Sequence, residues 1–330
     1  MKLGNWKRIL SVLTIMALSL TVMACGGANT AKPAETQGQV ETPAPEAKPA
    51  DQELKTTYPL KLKDATGQEF TFEKAPERIV SVSPADTEML FAIGLDKEIV
   101  GVSDHDDYPA AAATKPKMGG LEPNVEAIIA AKPDVVFTGI AMKDEAVNKF
   151  RDMGIRTFKL DPKSYDGVIN SVETYGLITD RQADAKKVTD HMKKVREDVQ
   201  ASVKDAPKKN VYMEFSPGWT VGSGEYMHEL LEIAGGVNVA ADQTGWFQIN
   251  EEMIIKKNPD VILYAKGMQD FETNKPLETI IRERKGWSEM NALKNNQLIG
   301  IEDDTISRPG PRLADALLSI AKAIHPDQVK

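Results

Sequence analysis

Few side chains in this sequence are of types that do chemistry, and their spacing favours binding over catalysis. The 330 residues hold four histidines and one cysteine. The densest set of metal-ligand types is Asp104-His105-Asp106, in "SDHDDY". Contiguous side chains cannot all converge on one ion without loop strain. His105 therefore reads either as a ligand to the metal of a bound molecule or as a hydrogen-bonding wall residue. His191 falls beside an apolar helical stripe and reads as solvated. His228 follows Met227, and neighbours on a helix point about 100° apart, which argues against Met/His haem ligation. Neither G-x-S-x-G nor H-E-x-x-H occurs, and no nucleophile with a base can be assigned, so no enzymatic activity and no metal or cofactor of the protein's own is expected. What remains is recognition. Trp219 in "SPGW" and Trp246 before Phe247 are flat side chains that order at little entropic cost and suit a large planar ligand; alternatively, one of them caps a core. Arg308 in "DDTISRPG" suits a phosphate, propionate or other carboxylate. Arg312 reads as a structural cap, and Trp287 in "RKGWSEM" as packing.

Those residues need elements to hold them. "PLKLKDATGQEFTFEKAP" alternates on both sides of Asp64-Ala65-Thr66-Gly67, the pattern of a β-hairpin. Beyond it, short β-branched runs such as "RIVSVSP", "EIVGVSD" and "DVVFTG" alternate with helical stretches. That order predicts α/β layering with mostly parallel sheets. The plan recurs in the second half, with "NVYMEFSP" after "RIVSVSP", and "EMIIKKNPDVIL" (252–263) as a near copy of "EAIIAAKPDVVF" (126–137). Two α/β lobes of matching plan follow, 58–165 and 207–330. Between them, Val188, Met192, Val195, Val199 and Val203 recur at steps of four, three, four and four, one apolar stripe on a helix. The connecting segment is placed at 166–206, and its helix, from about 181 to 205, would span roughly 37 Å. In open α/β sheets ligands bind beyond the carboxyl ends of the strands. That rule selects Ser83, Pro84, Asp104, His105, Trp219, Trp246 and Arg308 as the ligand-facing set.

The chain opens with Lys2, Lys7 and Arg8 followed by an uncharged apolar run, as secretory signal peptides do. It reaches "VMAC", which resembles the bacterial lipobox, in which the cysteine is lipidated. Residues 1–24 are thus expected as a lipoprotein signal peptide and Cys25 as the lipidated terminus, anchoring an extracytoplasmic protein to a membrane without spanning it. Residues 25–57 are rich in Pro, Ala, Gln, Glu and Thr and read as a disordered tether. Removing the three leader cations from the formal charge of −8 leaves −11. An acidic surface argues against nucleic acid as partner.

Several phrases in order, "PERIVSVSPADTEMLFAIG", "IVGVSDHDDYP", "GGLEPNVEAIIAAKPDVVF", "RKGWSEMNALKNNQLIGI" and "SRPGPRLADALLSIAKAIHPD", resemble the substrate-binding proteins of ABC importers for vitamin B12 and iron chelates. The resemblance covers nearly all of 58–330. It implies two rigid α/β lobes joined by one long helix, a ligand cleft between them, and a monomer. The implied ligand is a cobalamin or other corrinoid, ahead of a ferric siderophore or haem. A zinc or manganese site, which needs about three or four His or carboxylate ligands from both lobes, is disfavoured. The implied partner is an ABC permease dimer with its ATPase subunits. In that family a glutamate on each lobe engages permease arginines, and Glu126 and Glu252 stand at those positions. The sequence departs from the enteric B12 binders where Leu-Glu follows "GG" and Thr-Gly follows "VVF", since those proteins place tryptophans there.

Overall fold

The computed structural model describes residues 54–330. The leader, Cys25 and the tether as far as residue 53 lie outside the described residues. Composition assigns Thr56 to the tether, yet its N–H donates to Asp180 Oδ1 (2.7 Å) and its hydroxyl to Leu177 O (2.7 Å). Those two bonds move the start of the folded body ahead of Tyr58.

The first hairpin, β1 (Leu60–Lys63) and β2 (Glu69–Phe72), forms where alternation predicts it. Gly67 supplies the positive φ of its turn (84°), and Asp64 Oδ1 accepts from the Thr66 and Gln68 amides. Four parallel strands then build the N-terminal sheet: β3 (Ile79–Ser81), β4 (Ile99–Val102), β5 (Val135–Thr138) and β6 (Thr157–Lys159), in the order β4-β3-β5-β6. Helices α1 (Pro84–Ala92), α2 (Ala110–Ala113), α3 (Val125–Ala131) and α4 (Asp144–Asp152) connect them.

The stretch 166–206 holds two helices rather than one, α5 (Tyr165–Ile178) and α6 (Gln182–Val203), broken at Asp180, whose φ is 54°. Only α6 is the strut, about 33 Å long at its 22 residues. Its stripe is as periodicity predicts: Met192, Val199 and Val203 are buried, and Val188 and Val195 pack against them. Each such buried side chain is worth about 1.5–3 kcal/mol. Together they join both lobes into one continuous core running from Phe137 and Tyr175 to Leu317 and Ile320.

The C-terminal lobe contains β7 (Lys209–Glu214), β8 (Trp219–Val221), β9 (Gly236–Asn238), β10 (Trp246–Gln248), β11 (Val261–Lys266) and β12 (Leu298–Glu302). Its helices are α7 (Tyr226–Ile233), α8 (Glu251–Lys257), α9 (Leu277–Glu283), α10 (Asn291–Lys294), α11 (Asp303–Ser307) and α12 (Leu313–Ile324). The parallel sheet runs β12-β11-β7-β9. Counted from each lobe's first sheet strand, both sheets have the order 2-1-3-4, so the lobes share a topology. The duplicated Pro-Asp has a structural reason. Asp134 Oδ2 accepts from the Glu77 and Arg78 amides (2.8 and 2.9 Å), and Asp260 Oδ2 from the Asn210 amide (2.9 Å). Each aspartate pins the start of its lobe's first sheet strand to the third.

Candidate functional site

The carboxyl ends of both sheets face a cavity of about 410 Å³ between the lobes. Ile140 and Ala141, just past β5, line it from the N-terminal lobe; Phe215, Ser216, Trp219, Trp246 and Ser307 line it from the other. This is the switch-point position where such sheets bind ligands, and the volume is in the small-molecule range.

The two tryptophans lie on short strands of their own. β8 and β10 pair antiparallel, with Trp219 opposite Gln248 and Trp246 opposite Val221. The signal for this ribbon is the flanking Gly218, Gly224 and Gly245, all at positive φ; a three-residue strand is too short to show alternation. Trp246 meets Phe215 edge-to-face at 4.6 Å, and both indoles keep an open face, Trp219 44% and Trp246 38% exposed. Anchored aromatics with free faces are what a planar ligand needs.

Ser83 and Pro84 stand where β3 ends, but Ser83 is buried beneath the cleft floor. It neighbours Asp86 and Gly139. A Cβ on Gly139 would collide with Asp86 Oδ2 and sit 2.9 Å from Ser83 Oγ, so only glycine lets this part of the floor pack against the carboxylate. Asp86 is enclosed, with Oδ1 accepting from the Tyr175 hydroxyl (2.5 Å). Burial pushes its carboxyl up to about 6, against the hydrogen bonds from Ser83 and Tyr175. Sequence reading missed Asp86, although an acid in an otherwise core-facing turn of α1 was its signal.

Arg308 is engaged by protein carboxylates. Its guanidinium meets Asp107 (2.6 Å) and Glu88 (3.3 Å) from the N-terminal lobe and Asp304 (2.8 Å) from its own. Arg312 grips Glu88 as well, at 2.8 and 2.5 Å, and stacks over the half-exposed Tyr108 ring at 4.0 Å. Glu88 is 3% exposed. This clasp ties the lobes together, so Arg312 does more than cap a helix. Glu88, Tyr108 and Arg312 also line a second interlobe cavity of about 380 Å³, which reaches Val188 and His191 of the strut.

Asp104 and His105 are exposed on the rim, against Gly120, and line neither cavity. Asp106 instead turns inward, where Ser103 N–H donates to it. The three neighbours thus diverge, as contiguous residues must. Among the described residues no group of three or more His, Cys, Asp or Glu is placed to hold a metal.

Glu126 and Glu252 occupy equivalent places. α3 and α8 each run seven residues, start from an Asn whose side chain caps the helix (Asn124 to Ala127 N, 3.0 Å; Asn250 to Met253 N, 3.1 Å) and end on a left-handed residue. Both glutamates are exposed in the first turn. Since each helix runs antiparallel to its strands, both carboxylates point out at the cleft end of the molecule.

Residues 79–305 match a family model described as periplasmic binding protein. An uncharacterized ABC transporter substrate-binding lipoprotein of Bacillus subtilis is 34% identical over 83% of this chain and 88% of its own. A cobalamin-binding protein of Halobacterium salinarum is 26% identical over 96% of this chain and 84% of its own. Among solved structures, a possible iron-binding (periplasmic solute-binding) protein of Staphylococcus epidermidis is 30% identical with a TM-score of 0.66, covering 76% of this chain and 100% of that one. The vitamin B12 binding protein of Vibrio cholerae shares the fold at 23% identity, with a TM-score of 0.67 over 77% of this chain and 99% of that one.

Proposed function

Because the chain belongs to the periplasmic binding protein family, as a substrate-binding protein of an ABC transporter rather than an enzyme, we propose that it captures a corrinoid of the cobalamin type and delivers it to its permease. The observation that carries this reading is the interlobe cavity, walled by Trp219 and Trp246 at the strand ends of two matched sheets. A planar macrocycle stacks on such faces, and the cobalamin-binding relative from Halobacterium salinarum spans almost the whole chain. An iron chelate is the second reading, favoured by the likeness to the possible iron-binding protein of Staphylococcus epidermidis. Ser83 and Pro84 support the floor of the site, while Asp104 and His105 meet a ligand only where it reaches the rim.

Delivery follows from the twin glutamates. Glu126 and Glu252 dock onto basic residues of a two-fold permease dimer, whose ATPase subunits drive import. Asn capping and a first-turn carboxylate are worth about 1 kcal/mol each to a helix, but a cap alone does not require the same Glu in both lobes. Cys25 carries the lipid anchor, and the protein acts as an extracytoplasmic monomer. Among the described residues no helix is long and apolar enough to cross a membrane.

The test is tryptophan fluorescence of the soluble chain from Ala28 onward, titrated in parallel with cyanocobalamin, a ferric hydroxamate and hemin. Corrin and haem absorb where indole emits and so quench the buried Trp287 as well; saturable quenching reports binding, and the Trp219→Ala variant reports the wall. Saturable quenching by cyanocobalamin alone, weakened about tenfold in Trp219→Ala, is expected. Saturable quenching by the iron compounds alone moves the function to iron uptake.

A further inference from the structure

The aromatic wall of the C-terminal lobe rests on a buried charge with no counterpart at the equivalent position of its sister lobe. Glu214 ends β7 with its side chain fully enclosed, and four donors saturate it. Arg284 Nη1 and Nη2 reach one oxygen each at 2.6 Å, the Tyr212 hydroxyl reaches it at 2.9 Å, and the Gly218 amide at 2.8 Å. Gly218 is the turn residue before Trp219, and its carbonyl accepts from the Ile249 amide (2.8 Å). The third arm of Arg284, Nε, meets Glu251 Oε1 at 3.2 Å, on the first turn of α8 beside Glu252.

The other lobe shows that the fold itself does not need this charge. Strand register makes Val211 the equivalent of Ile79, since each sits opposite the first residue of its lobe's Pro-Asp strand. Counting forward, the counterpart of Glu214 is Val82. A buried ion pair costs desolvation that an apolar pair avoids, so a carboxylate at this one site asks for a role beyond stability.

We propose that Arg284 is a positioning residue that joins the first turn of α8 to the tryptophan wall through Glu214 and Gly218, so that a permease engaging Glu252 acts directly on the ligand-binding wall. The proposal rests on the docking reading of Glu252. Trp246 enters the same unit by another route, because β10 runs on through Ile249 into α8. The linkage is one-sided: in the N-terminal lobe, Val82 cannot tie α3 to the cleft in this way.

A double-mutant cycle read by amide hydrogen exchange tests the linkage without a permease, so its failure and that of the docking reading are separable. Arg284→Lys keeps a positive charge for Glu214 but loses the planar fork. It is expected to speed exchange at the Gly218 and Trp219 amides about tenfold, the scale of one charge-assisted hydrogen bond. Glu251→Gln, at a half-exposed position, is expected to speed it about threefold, with no further increase when both changes are combined. An unchanged Gly218 amide in Glu251→Gln, or an effect that persists undiminished in the Arg284→Lys background, overturns the proposal. As a second check, the double variant Glu214→Val, Arg284→Leu copies the other lobe. It is expected to fold with an unprotected Gly218 amide, and protection retained there would also overturn the linkage.

Discussion

Asp86 shows how one enclosed acid shapes the behaviour of the whole protein. Its carboxyl titrates near 6 in the fold against 3.8 when exposed, chiefly because of burial, with Asp106 adding repulsion. The folded state therefore holds a proton that the unfolded chain gives up between those two values. The stabilisation is fully present below the lower value and lost as pH rises through about 6. At pH 7.5 the enclosed charge costs about 3 kcal/mol. Asp86→Asn keeps an acceptor for Tyr175 and removes the charge. Denaturant titrations are expected to show the variant more stable than wild type at pH 7.5, on the order of 2 kcal/mol, with the difference closing by pH 4. A wild-type stability that does not fall between pH 5 and 7.5 relative to the variant would show that the buried carboxyl is not what titrates. An acid in a core-facing turn was the only trace of Asp86 in the sequence, because its meaning depends on Gly139 and Tyr175 lying next to it, 53 and 89 positions away in the chain.

At the scale of elements, the twin helices separate repeated features that a structural role explains from one that it does not. The cap Asn, the left-handed C-terminal residue and the strand-pinning Asp are each accounted for by a hydrogen bond or a backbone angle. The glutamates are not, since both project from the first turn into solvent. Glu126→Lys and Glu252→Lys are expected to leave cyanocobalamin affinity within about twofold, because neither lines a cavity. Each is expected to lower stimulation of permease ATPase about tenfold in proteoliposomes, the double change more than either. Full stimulation by the double variant would remove the docking role. Both helices were legible in the sequence through their caps and the Pro-Asp that follows. The β8–β10 ribbon left only its flanking glycines as a signal, because its strands of three residues carry no period and are held by pairing partners some 27 positions apart.

Over the whole molecule, two devices set the spacing of the lobes: the strut with its apolar stripe, and the clasp of Glu88 with Arg308 and Arg312. The clasp is unequal in its parts. Glu88 is enclosed, whereas Asp107 is 63% exposed. Glu88→Gln leaves two guanidinium groups short of a partner and is expected to cost about 3 kcal/mol; Asp107→Asn should cost under about 1 kcal/mol. Urea titrations measure both. Small-angle scattering of Glu88→Gln should show a larger radius of gyration as the lobes part, and an unchanged radius would assign spacing to the strut alone.

From the chain alone came the two α/β lobes, the helix between them and the repeat that relates the lobes, all from periodicity and short-range signals that a linear sequence carries; the ligand cleft between the lobes came as an expectation from the family resemblance. The tertiary structure decided where each of the selected residues sits and what it touches. It enclosed Ser83, sent Asp104 and His105 to the rim, gave Arg308 three carboxylate partners, and set Trp219 and Trp246 on one ribbon. The physical reason is that burial and charge pairing depend on which distant residues become neighbours. Arg308 meets Glu88 across 220 positions and Arg284 meets Glu214 across 70, and no local pattern records either meeting.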